Sequence, residues 1–216
     1  MHRFAIAVLA ALVLAPAGFA ARTVEPGHLN QPSLAVSPPW ARIANWDLSK
    51  RWHTTQVSAP RAQQKDSTTT ARQTALESDL LHEINDVRRE HGLRPLSLSP
   101  KLTAAAVQHT REMGADGYFE HESFDNTEFW KRIEHWYPSK GFGAWAVGEN
   151  LLYSAPELES APSGVQDWMA SPGHRANLLS HTWREIGLAA MHFDSAPGEY
   201  DGGPVTIVTA DFGYRR

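Results

Sequence analysis

Two histidines and one glutamate stand beside predicted breaks in secondary structure. His121 follows a predicted helix, Glu149 lies in a glycine-preceded turn into a strand, and His174 opens a helix. Two imidazoles and a carboxylate could bind zinc and leave a fourth position for water. They could equally form a hydrogen-bond network that ties separate loops together. Because the three residues lie far apart in the chain, spacing alone leaves both interpretations open.

His174 belongs to the stretch W-M-A-S-P-G-H-R-A-N-L-L at residues 168–179. Ser171 can cap a helix there, its hydroxyl accepting a hydrogen bond from a first-turn amide. Pro172 suits the first helical position, where its missing N–H costs nothing. The positive end of the helix dipole disfavours imidazolium, so we expect His174 to be neutral near pH 7. A neutral imidazole can bind a metal or accept a hydrogen bond.

Composition excludes several function classes. The formal net charge of −4 offers no basic field for nucleic acid, and we expect no nucleic-acid partner. The chain has no cysteine, which rules out disulfides and thiol nucleophiles. It also lacks a G-x-S-x-G elbow, a phosphate-binding loop and the second histidine of a helical zinc-protease motif.

The N-terminus has the pattern of a secretory signal peptide at residues 1–20. A short positive start is followed by an apolar run at residues 4–14 and a small-residue exit ending at Ala20. The run is too short for an easy membrane span. We therefore expect cleavage after Ala20, a secreted or periplasmic location, and no transmembrane segment in the mature chain.

Residues 21–74 are rich in Pro, Ser, Thr and Gln and show no sustained periodicity, which predicts a linker or disordered arm. Trp40, Trp46 and Trp52 are unusual in such an arm. They could dock it on the folded domain or bind an envelope component. We favour docking, because buried aromatic side chains usually serve packing.

The folded domain is predicted at residues 75–216. Leu76, Leu80, Ile84 and Val87 form an apolar stripe at helical spacing. His109 lies on the inward face of a second predicted helix, where we expect a hydrogen-bonded core histidine and not a ligand. A further helix is expected at 165–170, and a hairpin of strands at 185–193 and 205–212 ends the chain. Helices followed by a late antiparallel hairpin indicate an α+β fold.

Four stretches occur in one order: Y-F-E-H at 118–121, G-E-N-L at 148–151, the stretch at 168–179, and E-I-G-L at 185–188. This ordered set resembles the bacterial branch of the CAP superfamily, whose domain is also called the SCP domain. The superfamily is named for cysteine-rich secretory proteins, antigen 5 and pathogenesis-related 1 proteins. The resemblance covers roughly residue 75 to the C-terminus and implies a three-layer α-β-α sandwich with a central cleft.

In that family the cleft carries two histidines and two acidic residues, which bind a divalent metal, often zinc, in some members. The resemblance implies that His121 and His174 are the histidines and that Glu149 is one acid. The second acid departs from the pattern, since Ser171 stands near its expected position. Asp167 and Glu185 are substitutes by proximity only.

The resemblance implies a secreted, non-enzymatic protein that binds a ligand of the lipid or sterol class, or an envelope or extracellular partner. No catalytic residue is assigned. The alternative is a divalent-metal-dependent hydrolase in which His121 and His174 bind the metal and Glu149 is the general base. A third possibility is a structural, envelope-associated module. The sequence names neither the ligand nor the oligomeric state.

Export generates the first testable prediction. Protein recovered outside the cytoplasm should have the intact mass of a chain that begins at Ala21, because the small residues before that position suit signal peptidase. Full-length protein retained in the inner membrane would contradict this prediction.

Overall fold

The computed structural model describes residues 6–15, by their backbone alone, and residues 70–216. The three tryptophans of the predicted arm, and residues 1–5 and 16–20 of the predicted signal peptide, lie outside these ranges. The boundaries predicted at residues 20 and 74 stay predictions. The elements in chain order are β1 (Ile6–Ala15), β2 (Thr70–Arg72), α1 (Thr74–Glu90), β3 (Ser97–Leu98), α2 (Pro100–Asp116), α3 (Phe129–Trp136), β4 (Trp145–Ser154), α4 (Ala161–Ala170), α5 (Pro172–Leu178), β5 (Glu185–Phe193), a 3-10 turn (Gly198–Tyr200) and β6 (Val205–Arg215).

One sheet runs through the middle of the described fold, in the strand order β1-β4-β6-β5-β2. All pairs along this path are antiparallel, whereas the short β3 pairs with β5 in parallel. The hairpin predicted at the end of the chain is confirmed as β5 and β6. The sequence placed its second strand at residues 205–212, and β6 continues to Arg215.

Helices cover both faces of the sheet, which confirms the predicted α+β, three-layer sandwich. On one face the core joins residues of α1, α4 and α5 to Leu152 and Phe212, among others. On the other face α2 and α3 pack on Val147, Leu151 and Ile207. Since alternate residues of a strand point to opposite faces, Glu149 belongs with Val147 and Leu151 on the α2/α3 face.

The predicted stripe of α1 is confirmed, with Leu80 and Ile84 fully buried and Leu76 and Val87 packed against the same cluster. The start of α4 was predicted four residues too late. Pro162 lies in the first turn of this helix, where a missing N–H is tolerated, and Ser160 and Ser163 form a capping box.

Helix α2 lies so close to β5 that Gly187 has no room for a side chain. A Cβ at this position would stand 2.1 Å from the backbone carbon of Leu102. This close approach brings the inward side chains of α2, including His109 and Thr110, directly onto the sheet. Thr110 donates a 2.8 Å hydrogen bond to Thr209 of β6.

Within the described residues no helix is long and apolar enough to cross a membrane.

Candidate functional site

The polar centre of the described fold is the carboxylate of Glu149, which is fully buried in the middle of β4. His121, in the loop after α2, donates from Nδ1 to Oε1 at 2.7 Å. Arg132, in α3, donates from Nη2 to Oε2 at 2.5 Å. Three segments far apart in sequence therefore meet at one carboxylate.

Arg132 is held on several sides. Its Nη1 donates to the carbonyl of His121 and to the hydroxyl of Ser123, both at 3.0 Å. Only 3% of the residue is exposed. The guanidinium therefore holds the loop that carries His121 in place and also compensates the charge of Glu149. The sequence did not indicate this role of Arg132. A long cation on a predicted helix is usually solvated, so its type and spacing gave no signal.

The surroundings keep Glu149 ionised. Burial alone would raise the pKa of this carboxyl, but the positive charge of Arg132 leads the opposing effects, and the bond from His121 adds to it. Together they lower the pKa of Glu149 to about 2. Because an ionised carboxylate can only accept, Nδ1 of His121 carries a proton. In the neutral ring, Nε2 of His121 is then a hydrogen-bond acceptor.

Nε2 of His121 is buried and has no hydrogen-bond partner in the described part of the chain. The ring packs near Phe129, with the two centroids 6.0 Å apart. A buried ring nitrogen without a hydrogen-bond partner costs about 1–3 kcal/mol, so this atom favours a bound group that can form a hydrogen bond with it.

His109 is a core histidine, as expected from the sequence. It is fully buried, and its Nε2 donates to the carbonyl of Glu120 at 2.9 Å. The same nitrogen lies 4.0 Å from Oε1 of Glu149. Burial lowers the pKa of His109, and this outweighs the attraction of Glu149. His109 is therefore a neutral, buried side chain that packs beside the Glu149 carboxylate.

Asp211 is a second buried acid that the sequence analysis missed. It lies on β6 directly opposite Glu149 and is fully buried. Burial raises the pKa of Asp211 well above its usual range, and the charge of Glu149 raises it further. Neither of its oxygens has a hydrogen-bond partner among the described residues, so the raised pKa of Asp211 comes from its burial and from the nearby charge of Glu149. Alternation within the strand, which reads as V-T-A-D-F, could have indicated an inward carboxyl.

His174 reaches the same strand from α5. Its carbonyl accepts from Nδ2 of Asn150 at 3.2 Å, and Asn177 donates to the carbonyl of Glu149 at 3.1 Å. The ring nitrogen Nδ1 of His174 forms a 2.7 Å hydrogen bond with the hydroxyl of Ser171. The structure thus joins His121 and Glu149 directly and connects α5 to them through β4. Pro172 opens α5 as expected, but Ser171 makes no side-chain cap bond, because its hydroxyl pairs with His174.

The two acids proposed as substitutes lie in other surroundings. Glu185 accepts a 2.5 Å hydrogen bond from the hydroxyl of Tyr137, and Arg215 lies 3.9 Å from the same oxygen. Asp167 is half-buried on α4, where burial raises its pKa. The acid that faces Glu149 is Asp211.

The described residues do not fit a three-ligand zinc site. Among them no group of three His, Cys, Asp or Glu side chains is arranged to hold a metal ion. The physical reason lies at Glu149, whose oxygens already face His121 and Arg132. A divalent cation beside Glu149 would stand next to the buried guanidinium, and like charges repel strongly at low dielectric.

Comparison with known proteins gives a family and a fold. Residues 81–212 match the profile of the family described as CAP, Cysteine-rich secretory protein family. Two Bacillus subtilis proteins are each 28% identical, the uncharacterized protein YkwD over 144 residues and the uncharacterized membrane protein YlbC over 116. The match covers 65% of this chain and 53% of YkwD, and 54% of this chain and 32% of YlbC. The chain thus spans about half of one relative and a third of the other.

A solved structure has the same fold. An outer surface protein of Borrelia burgdorferi is similar with a TM-score of 0.53 and 20% sequence identity. The likeness covers 69% of this chain and 99% of that protein.

The ion pair generates a stability prediction. Arg132→Met leaves the charge of Glu149 buried without its partner, which should lower the free energy of unfolding by about 3–5 kcal/mol. Adding Glu149→Gln should restore more than half of that loss, because the uncompensated charge is removed. Urea unfolding measures both, and Lys131→Met, an exposed change on the same helix, is the matched control.

If the losses of stability from Arg132→Met and Glu149→Gln simply add in the double variant, the two side chains are not coupled and the prediction is contradicted. If Arg132→Met alone does not fold, recovery of a folded chain on adding Glu149→Gln provides the same test.

Asp211 generates a pH prediction. Its folded pKa is raised, so its stabilising contribution is complete below the unfolded value near 3.9 and is lost as pH rises toward the folded value. Asp211→Asn cannot ionise, so its stability advantage over wild type should grow by about 1.4 kcal/mol per pH unit within that window. Glu149 has the opposite effect on stability, in a lower pH range. Because its folded pKa is lowered, the free energy of unfolding falls as pH drops from about 4.5 toward 2.

Urea unfolding of both proteins between pH 4.5 and 8 measures the difference. Parallel pH profiles for the variant and the wild type would show that Asp211 is ionised in the folded chain.

Proposed function

Because the chain belongs to the cysteine-rich secretory protein (CAP) family, we propose that it is an exported, non-enzymatic binding protein. Its ligand is a small apolar molecule of the lipid or sterol class, or a partner in the envelope or outside the cell. The binding site is the region around His121, Glu149 and His174, with Glu149 as the fixed charge and Nε2 of His121 as the atom offered to the ligand.

The state of Glu149 is the observation that carries this proposal. A general base works best when its pKa lies near the working pH, whereas the pKa of Glu149 is lowered to about 2. Both of its oxygens are engaged, by His121 and by a buried guanidinium. Glu149 therefore suits an orienting role, in which it fixes the tautomer and direction of His121 as second-sphere carboxylates do.

The metal-dependent hydrolase is the weaker candidate for the same reason. It needs a metal that generates a nucleophilic water and a base that accepts its proton. The described donor set does not fit the metal, and the proposed base is too acidic. Binding requires neither.

Export is supported by the signal-peptide pattern of residues 1–20 and by the similarity in fold to an outer surface protein. The relative YlbC is named a membrane protein. These names concern the relatives, and for this chain they support an envelope or extracellular location.

The test compares exported wild-type protein with His121→Ala. Bound small molecules are extracted and identified by mass spectrometry, and zinc content is measured on the same samples. We expect His121→Ala to reduce ligand recovery about tenfold, since losing one buried hydrogen bond costs about 1.4 kcal/mol. His82→Ala, at an exposed position on α1, is the matched control and should behave as wild type.

Two results would contradict the proposal. One is ligand recovery no greater than from an unrelated exported protein. The other is ester or peptide hydrolysis that depends on added zinc and disappears in His121→Ala, which would establish the hydrolase instead.

A further inference from the structure

Among the described residues, a single segment covers the outer edge of β4. β4 is a ten-residue strand that pairs with β6 on one side and with β1 on the other. The pairing with β1 runs along the whole strand, from Ile6 opposite Ser154 to Ala15 opposite Trp145. These ten residues lie in the segment predicted to be cleaved on export.

The opposite edge of the sheet is protected differently. There β5 is covered by two short strands, β2 and β3, which meet different parts of it. Glu77 accepts a hydrogen bond from the amide of Ala190 at 3.1 Å and holds Arg72 of β2 through two bonds. All of these residues lie in the predicted mature chain, so this edge stays closed after export.

Apart from one inward-pointing charge, β4 carries none of the features that normally keep an edge strand from pairing. Its sequence, W-A-V-G-E-N-L-L-Y-S, has no proline and no lysine, and its single charged residue points inward to the Arg132 centre. A long apolar edge with unpaired N–H and C=O groups readily pairs with another strand. Removing residues 1–20 would therefore leave β4 in need of a new partner.

We propose that, in the exported protein, the edge of β4 binds an extended, uncharged peptide segment of a partner as an added antiparallel strand. This deepens the proposed function, on which it rests, by naming the class of partner. The pairing of β1 with β4 is the pattern for the bound state, since β1 is an uncharged ten-residue segment in this position. β-Strand addition of this kind takes its affinity from main-chain hydrogen bonds.

The added strand would pass the candidate site. In the β1 pairing, Ala11 lies opposite Glu149 and Ala10 lies opposite Asn150, and α5 packs against β1. A strand in this position would run beside the strand that carries Glu149 and in contact with the helix that carries His174. A lipid chain could fill the same space, but it could not satisfy the main-chain groups of β4.

Hydrogen exchange of the β4 amides, followed by mass spectrometry, tests the proposal. The full chain retained in the cytoplasm and the exported, cleaved protein are compared. Peptides covering residues 145–154 should exchange at least about tenfold faster in the exported protein. The probe is a peptide of the β1 sequence with two lysines at each end for solubility, and its saturating addition should restore the slow exchange.

The matched control peptide has the same sequence with N-methyl groups on every amide of the β1 segment, so it keeps the apolar side chains but can donate a main-chain hydrogen bond from neither edge. It should give no protection. Equal protection by both peptides, or protection by phosphatidylcholine vesicles alone, would overturn strand addition in favour of apolar binding. Slow exchange of the β4 amides in the exported protein without any peptide would contradict the premise that cleavage leaves this edge unpaired.

The absence of cysteine permits a second measurement of the β1 pairing. In the full chain, Ile6→Cys with Ser154→Cys should form a disulfide on mild oxidation, because the two Cα atoms are direct partners. Ile6→Cys with Thr206→Cys is the control, since Thr206 lies beyond Ser154 on the far strand. Equal cross-linking of both pairs would contradict the register.

The two proposals fail separately. If the peptide gives no protection while His121-dependent ligand recovery is intact, only strand addition is overturned. If the peptide protects β4 but ligand recovery is independent of His121, the role given to His121 in the proposed function is overturned.

Discussion

The ion pair between Arg132 and Glu149 is the constraint on which the rest of the site depends. A carboxylate buried in the centre of a sheet is too costly to remain ionised without a compensating charge. The guanidinium supplies that charge and also bonds the carbonyl of His121 and the hydroxyl of Ser123. One side chain of α3 therefore sets the ionisation of the strand residue and the position of the loop histidine together.

The same pair explains how two acids can face each other across β4 and β6. With Glu149 already compensated by Arg132, a second ionised carboxylate would be unpaired, so Asp211 keeps its proton. Arg132 and Glu149 then form the buried ion pair of the centre, and His109 is neutral. An ion pair held by several hydrogen bonds favours rigidity over proton transfer, and this agrees with an orienting role for Glu149.

Much of the fold could be predicted from local patterns. The apolar stripe of α1 and the hairpin of β5 and β6 follow from helical and strand periodicity, and both are confirmed. The ordered motifs also predicted that His121, Glu149 and His174 converge, and the structure joins the side chains of the first two directly. Strand alternation could have indicated that Asp211 points inward, but the roles of Arg132 and Asp211 could not be found from local patterns. Both roles depend on Glu149, which lies 17 positions from Arg132 and 62 positions from Asp211 in sequence. Ser171 shows the limit at short range, since a hydroxyl that can cap a helix can also bond a histidine three residues later.

The edge of the sheet and the polar centre are coupled through the geometry of a single strand. The period of two along β4 turns Glu149 toward α2 and α3, while the backbone at the same position lies between Ala11 of β1 and Asp211 of β6. Whatever pairs with this edge therefore lies within one strand spacing, about 4.8 Å, of the backbone that holds the charged centre. A site built in this way can recognise a partner by main-chain pairing along β4 and by the group it presents to His121. These two kinds of contact need no metal and no catalytic base.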